Sequence, residues 1–133
     1  MRHFIFIAVI FIAFLQNANV FAGSTEAVET TLYFGLDLPD GGVVSEEQWA
    51  GFLADIVTPR FPEGFTVLDA QGQWRDPENP HAGVLREATR VMIIVHTEAV
   101  DADRAISEIK SLYKTSFGQK SVFHTEAQVR LVE

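Results

Sequence analysis

Leu85-Arg86-Glu87-Ala88-Thr89-Arg90-Val91-Met92-Ile93-Ile94-Val95-His96 decides the fold of this chain. Its centre, Val91 to Val95, is apolar at every position, so neither face of the strand is marked for water. Such a strand belongs in the middle of a sheet. Before it, Phe65-Thr66-Val67-Leu68-Asp69 reads as a strand that can run on through Gly72 to Arg75, with Gly72 the expected place for a bulge or bend. A Pro- and Gly-bearing loop from Asp76 to Gly83 joins the two. After it, Asp101 and Asp103 open a helix whose buried stripe is Ala102, Ala105, Ile106, Ile109, Leu112 and Tyr113, with Gly118 as the C-terminal cap.

The flanks complete the pattern. Thr30 to Leu36 is a first strand with Leu32, Phe34 and Leu36 on one face and Tyr33 and Gly35 on the other. Ser45-Glu46-Glu47-Gln48 matches a capping box, and Trp49, Phe52, Leu53 and Ile56 follow at helical spacing until Pro59. Ser121 to Val132 alternates regularly, Phe123, Ala127, Val129 and Leu131 against His124, Glu126, Gln128 and Arg130. The order is β-α-β-β-α-β, a ferredoxin-like α+β sandwich. Right-handed crossovers place two helices on one face of a four-stranded antiparallel sheet, with the first and third strands central.

Residues 1–22 stand apart. Arg2 and His3 precede an apolar run, Phe4 to Leu15, that is shorter than the roughly 20 residues needed to span a bilayer. Gln16-Asn17 and the small-residue exit Val20-Phe21-Ala22 follow, as in a secretory signal peptide. Cleavage after Ala22 would leave a flexible leader, 23–29, and a single domain, 30–133. The expected location is exported, in a periplasm or extracellular space, with membrane contact only through the signal peptide before cleavage.

Beyond Ala22 there are nine Lys and Arg against eighteen Asp and Glu, in a chain of formal charge −8 overall. That balance repels polyphosphate and argues against nucleic acid as a partner. No cysteine is present, which excludes disulfides, thiol nucleophiles and thiolate metal sites. Hydrolase motifs, phosphate-cradling glycine loops and dinucleotide fingerprints are absent as well, and no cofactor is expected.

If Val91, Ile93 and Val95 pack under the helices, Arg90, Met92, Ile94 and His96 point to the open face, beside Tyr33 and the row His124, Glu126, Gln128 and Arg130. An open face carrying Met92 and Ile94 needs a cover, which a homodimer or a small-molecule ligand could supply. His96, Tyr33 and Arg90 are the candidate catalytic groups, as base, assisting hydroxyl and anion holder. His124 is a further ligand-binding candidate. His96, His124 and Glu126 are a thin set for a metal, and no metal is expected.

The second constellation is Thr58-Pro59-Arg60-Phe61-Pro62 with Gly72-Gln73-Trp74-Arg75. Arg60 and Arg75 could hold a carboxylate or phosphate while Trp74 stacks on an apolar group. Alternatively, Arg60 bonds the carbonyls ending the first helix, Trp74 caps the core, and Arg75 pairs with Asp76 or Glu87.

Leu32-Tyr33-Phe34-Gly35-Leu36, Val44-Ser45-Glu46-Glu47-Gln48-Trp49, Val57-Thr58-Pro59-Arg60-Phe61-Pro62-Glu63-Gly64 and Gly72-Gln73-Trp74-Arg75-Asp76 resemble the bacterial family catalogued as domain of unknown function 3574. The likeness covers roughly Thr30 to Val132. It implies a small exported protein, often a lipoprotein in that family, although this chain lacks the lipobox cysteine. It implies no activity, and it raises the weight on Tyr33, Arg60, Trp74 and Arg75. Two functions remain open: an exported domain that binds a small molecule or protein through the open sheet face, and a small dimeric α+β-barrel-type enzyme acting on a hydrophobic organic acid or aromatic compound.

Overall fold

The computed structural model describes residues 24–75, 78–97 and 99–132; residues 1–22, where a signal peptide is expected, and Asp76 and Pro77 lie outside the described residues. The elements are β1 (Ser24–Gly35), α1 (Glu46–Phe52) continuing as a π-helical turn (Leu53–Val57), β2 (Thr66–Trp74), β3 (Leu85–His96), α2 (Val100–Phe117) and β4 (Phe123–Val132). The strands form one antiparallel sheet in the order β2-β3-β1-β4. This is the expected α+β sandwich with β1 and β3 central. Among the described residues no helix is long and apolar enough to cross a membrane.

Both helices pack on the same side of the sheet. Trp49, Phe52, Val57, Ile106, Ile109 and Tyr113 join Leu32, Phe34, Met92 and Ile94 in a single buried cluster. Phe34 brings the sheet into the aromatic cluster of the helices, with ring centroids 4.7 Å from Tyr113, 5.4 Å from Trp49 and 5.9 Å from Phe52. The capping box forms as read: the Gln48 amide donates to Ser45 Oγ at 3.1 Å and the Ser45 amide to Gln48 Oε1 at 2.9 Å. The π turn is closed by the Thr58 amide on Leu53 O, and its wider pitch leaves Val57, rather than Ile56, fully buried.

Three expectations are corrected. Residues Ser24–Glu29 are not a loose leader; they extend β1 and pair with Val132 to Ala127 of β4, whose backbone groups would otherwise lack a partner. Gly72 makes no bulge, because β2 and β3 keep one register from Thr66↔Ile93 to Trp74↔Leu85. The glycine instead makes room for a neighbour, since a Cβ there would meet Thr89 Oγ1 at 3.2 Å.

The third correction inverts β3. Leu32 pairs with Met92, Thr30 with Ile94, Phe34 with Arg90 and Val28 with His96. Directly opposed residues share a face, so Arg90, Met92, Ile94 and His96 lie under the helices. The row His124 to Arg130 lies on that side too, because His124 opposes Leu32. Val91, Ile93 and Val95 form the open face with Tyr33. Alternation could not choose between two aliphatic sets; the register with β1 does.

The Tyr113 hydroxyl donates to Gly35 O at 2.7 Å, tying α2 to the end of β1. Burial pushes its pKa above the usual tyrosine range, and the negative charge of Glu87 adds to the shift. The folded state therefore keeps a proton that the unfolded chain loses above about pH 10, and stability should fall as pH rises past that value. Tyr113→Phe should cost about 1–2 kcal/mol at neutral pH and flatten the alkaline decline, as read by denaturant melts between pH 7 and 11.

Candidate functional site

The sequence candidates divide between two regions. His96 sits at the helix-side end of β3, where its Nε2 lies 2.9 Å from the hydroxyl of the fully buried Thr30 and its Nδ1 lies 2.9 Å from Thr97 O. A carbonyl only accepts, so in the neutral ring Nδ1 carries the proton and Nε2 accepts from Thr30. Arg90 lies six residues back on the same strand, roughly 20 Å away, and is paired with Glu46 and Asp69. Tyr33 is on the opposite face. The proposed trio of His96, Tyr33 and Arg90 therefore does not converge.

The loop arginines also stay apart. Arg60 donates Nη1 to Ile56 O at 2.8 Å and Nε to Glu108 Oε2 at 3.1 Å, so it ties the end of the first helix to α2. Arg75 is exposed just beyond β2, at the far end of that strand from the Arg60 connection and roughly 25 Å along it. No shared anion clamp forms. Trp74 is 52% exposed and does not cap the core.

On the helix side a groove of about 520 Å³ runs between β4 and the start of α2, lined by Val28, His96, Asp103, Glu126 and Gln128 among others. It continues past Lys110 and His124. His124 Nδ1 lies 3.4 Å from Lys110 Nζ, and its Nε2 is 3.0 Å from Glu126 Oε1 but not aligned for a hydrogen bond. No group of three metal-ligating side chains occurs among the described residues.

The open face holds the more distinctive arrangement. A hollow of about 270 Å³ is lined by Tyr33, Gly35, Trp74, Glu87, Thr89, Gln119, Ser121 and Phe123. Tyr33 and Phe123 pair with centroids 5.4 Å apart. Glu87 belongs to the floor: its Oε1 accepts the Asp37 amide at 3.1 Å, and its carboxylate lies over Gly35 so closely that a Cβ there would overlap it. The Tyr-Phe-Gly and Gly-Gln-Trp motifs, 39 positions apart from Tyr33 to Gly72 in the chain, thus meet at one site. Sequence reasoning weighted Tyr33 and Trp74 but missed Glu87 and Phe123. The available signal was the pair of strand glycines, Gly35 and Gly72, which mark close approach of neighbouring side chains.

The rest of that face is apolar. Leu68, Trp74, Leu85, Val95, Phe123 and Leu131 are 41–65% exposed, all on the open side by register. The strand residues on that side that carry charge at neutral pH are Glu29 and Glu87, both carboxylates.

An α+β sandwich with a bare apolar sheet face is the class these features define. The chain belongs to the family described as Protein of unknown function (DUF3574), which it matches over residues 29–132. No curated protein matches it. Among solved structures it is similar to a phage SAM lyase in complex with S-methyl-5'-thioadenosine, with a TM-score of 0.56 and 13% identity over 80% of this chain and 90% of that one. The same is true of a phage SAM lyase in its apo state, with a TM-score of 0.56 and 12% identity over 81% and 90% of the two chains. At such identity the likeness is one of fold.

Gly35→Ala should push the Glu87 carboxylate aside and break its bond to the Asp37 amide. The expected result is about 1 kcal/mol of lost stability with faster hydrogen exchange at Asp37, measured by NMR. Unchanged exchange would mean the carboxylate does not rest on Gly35.

Proposed function

We propose that this chain is an exported binding module that works through the open face of its sheet, with a second copy covering the apolar centre. The observation that carries it is the row of large apolar side chains left 41–65% exposed on that face. Antiparallel sheets with one free face normally turn polar residues to water there. A contiguous apolar patch is costly to leave solvated, and two copies related by a two-fold axis would bury it face to face. The need for a cover, first argued from Met92 and Ile94, passes to Leu68, Val91, Ile93 and Val95.

The enzyme alternative loses its geometric basis. It required His96, Tyr33 and Arg90 together, and an organic acid would meet a carboxylate rather than a guanidinium in the open-face hollow. The phage SAM lyases lend it a fold and not a set of reacting groups.

Leu68→Glu and Val95→Glu, which change exposed positions, should convert the protein from twice to once the chain mass in light scattering while leaving its far-UV dichroism intact. A wild-type protein that is monomeric at tens of micromolar would sink the two-copy arrangement. Export has its own check: the mature protein recovered outside the cytoplasm should have an intact mass beginning at Gly23, and a product retaining Met1 in the membrane fraction would contradict it.

A further inference from the structure

The hollow at one end of the open face combines three features. Its walls are aromatic, with Tyr33 and Phe123 on one rim and Trp74 on the other. Its charged group is one carboxylate, held in orientation by the Asp37 amide and given no cationic partner among the described residues. Its floor is glycine-flattened: Gly35 leaves the space in which the Glu87 carboxylate lies, and Gly72 beside it makes room for Thr89.

We propose that this hollow binds a small methylated organic cation, of the quaternary ammonium kind. Aromatic faces carry negative potential at their centres, so they attract a weakly hydrated cation while burying its methyl groups. Glu87 supplies the compensating charge. A bare divalent metal is a poor match, because one carboxylate cannot replace its six or so oxygen ligands. An anion is a worse one, since the strand residues charged at neutral pH on this face, Glu29 and Glu87, are both acidic. About 270 Å³ suits a compact headgroup rather than a large ligand. Trp74 and Phe123 belong both to the exposed apolar row and to the hollow, so a covering copy that reaches this end of the sheet would border the bound cation.

The inference rests on the open face being the binding surface, and two readouts on one sample separate the two ideas. Choline is titrated while tryptophan fluorescence is followed. Trp74 is exposed at the hollow, whereas Trp49 is buried and supplies a constant background. The comparison probes are 3,3-dimethyl-1-butanol, the neutral isostere of choline, and pivalate, the corresponding anion. Choline should give a saturable change, the neutral isostere should bind roughly tenfold more weakly, and pivalate should give none. Glu87→Gln should weaken choline by a similar factor. Tyr33→Ala should weaken it too, and Tyr33→Phe, which keeps the ring, should restore it. Equal affinity for choline and its neutral isostere would overturn the proposal, as would a change that sodium chloride of equal ionic strength reproduces. Light scattering reports the second copy independently. A monomer that binds choline supports the cation site while removing the two-copy arrangement, and a dimer that does not bind choline overturns the cation site alone.

Discussion

The register between β1 and β3 is the constraint from which the rest follows. Leu32 stands opposite Met92, and Thr30 opposite Ile94. Side chains alternate with a period of two, so a slip of one residue would exchange the faces of a whole strand. With this register, the four fully buried residues Leu32, Phe34, Met92 and Ile94 meet the aromatic stripe of the helices. The same pairing commits Tyr33, Val91, Ile93 and Val95 to the other side. Core and candidate site are thus two consequences of one alignment.

Gly35 is where the two sides touch. Its carbonyl accepts the buried Tyr113 hydroxyl from the helix layer, and its open side lies against the Glu87 carboxylate. Glu87 in turn holds the amide of Asp37, and Gln119, just beyond α2, donates to Asp37 O. A residue without a side chain therefore lets a core hydrogen bond and a surface carboxylate occupy opposite sides of one peptide. The position of Glu87 is coupled to the packing of α2 through this contact.

Charge arranges itself in a complementary way. The helix side sets three of its basic residues beside carboxylates: Arg60 with Glu108, Arg90 with Asp69 and Glu46, and His124 beside Glu126. Each of these pairs links neighbouring elements or neighbouring positions and is at least partly exposed, so it contributes little stability. The open side keeps aliphatic and aromatic surface with two carboxylates. That division suits a face made for association and for weakly hydrated cations better than one made to hold acids.

The fold was legible because its evidence is local. The capping box at Ser45, the stripe ending in Tyr113, the glycine cap at Gly118 and the apolar run Val91 to Val95 each act within a few residues, and together they specify the order of elements and the central strands. The family match adds agreement along nearly the same span. Membership of the site was only half legible: Tyr33 and Trp74 stood out as aromatics beside strand glycines, whereas Glu87 looked like any surface acid and Phe123 like any strand residue. His96 and Arg90 stood out and yet belong to the other side of the sheet. The tertiary structure decided which face each strand presents and which distant motifs meet. Those facts depend on strand register, a pairing between residues some sixty positions apart, and a run such as Val91-Met92-Ile93-Ile94-Val95 is equally apolar either way up.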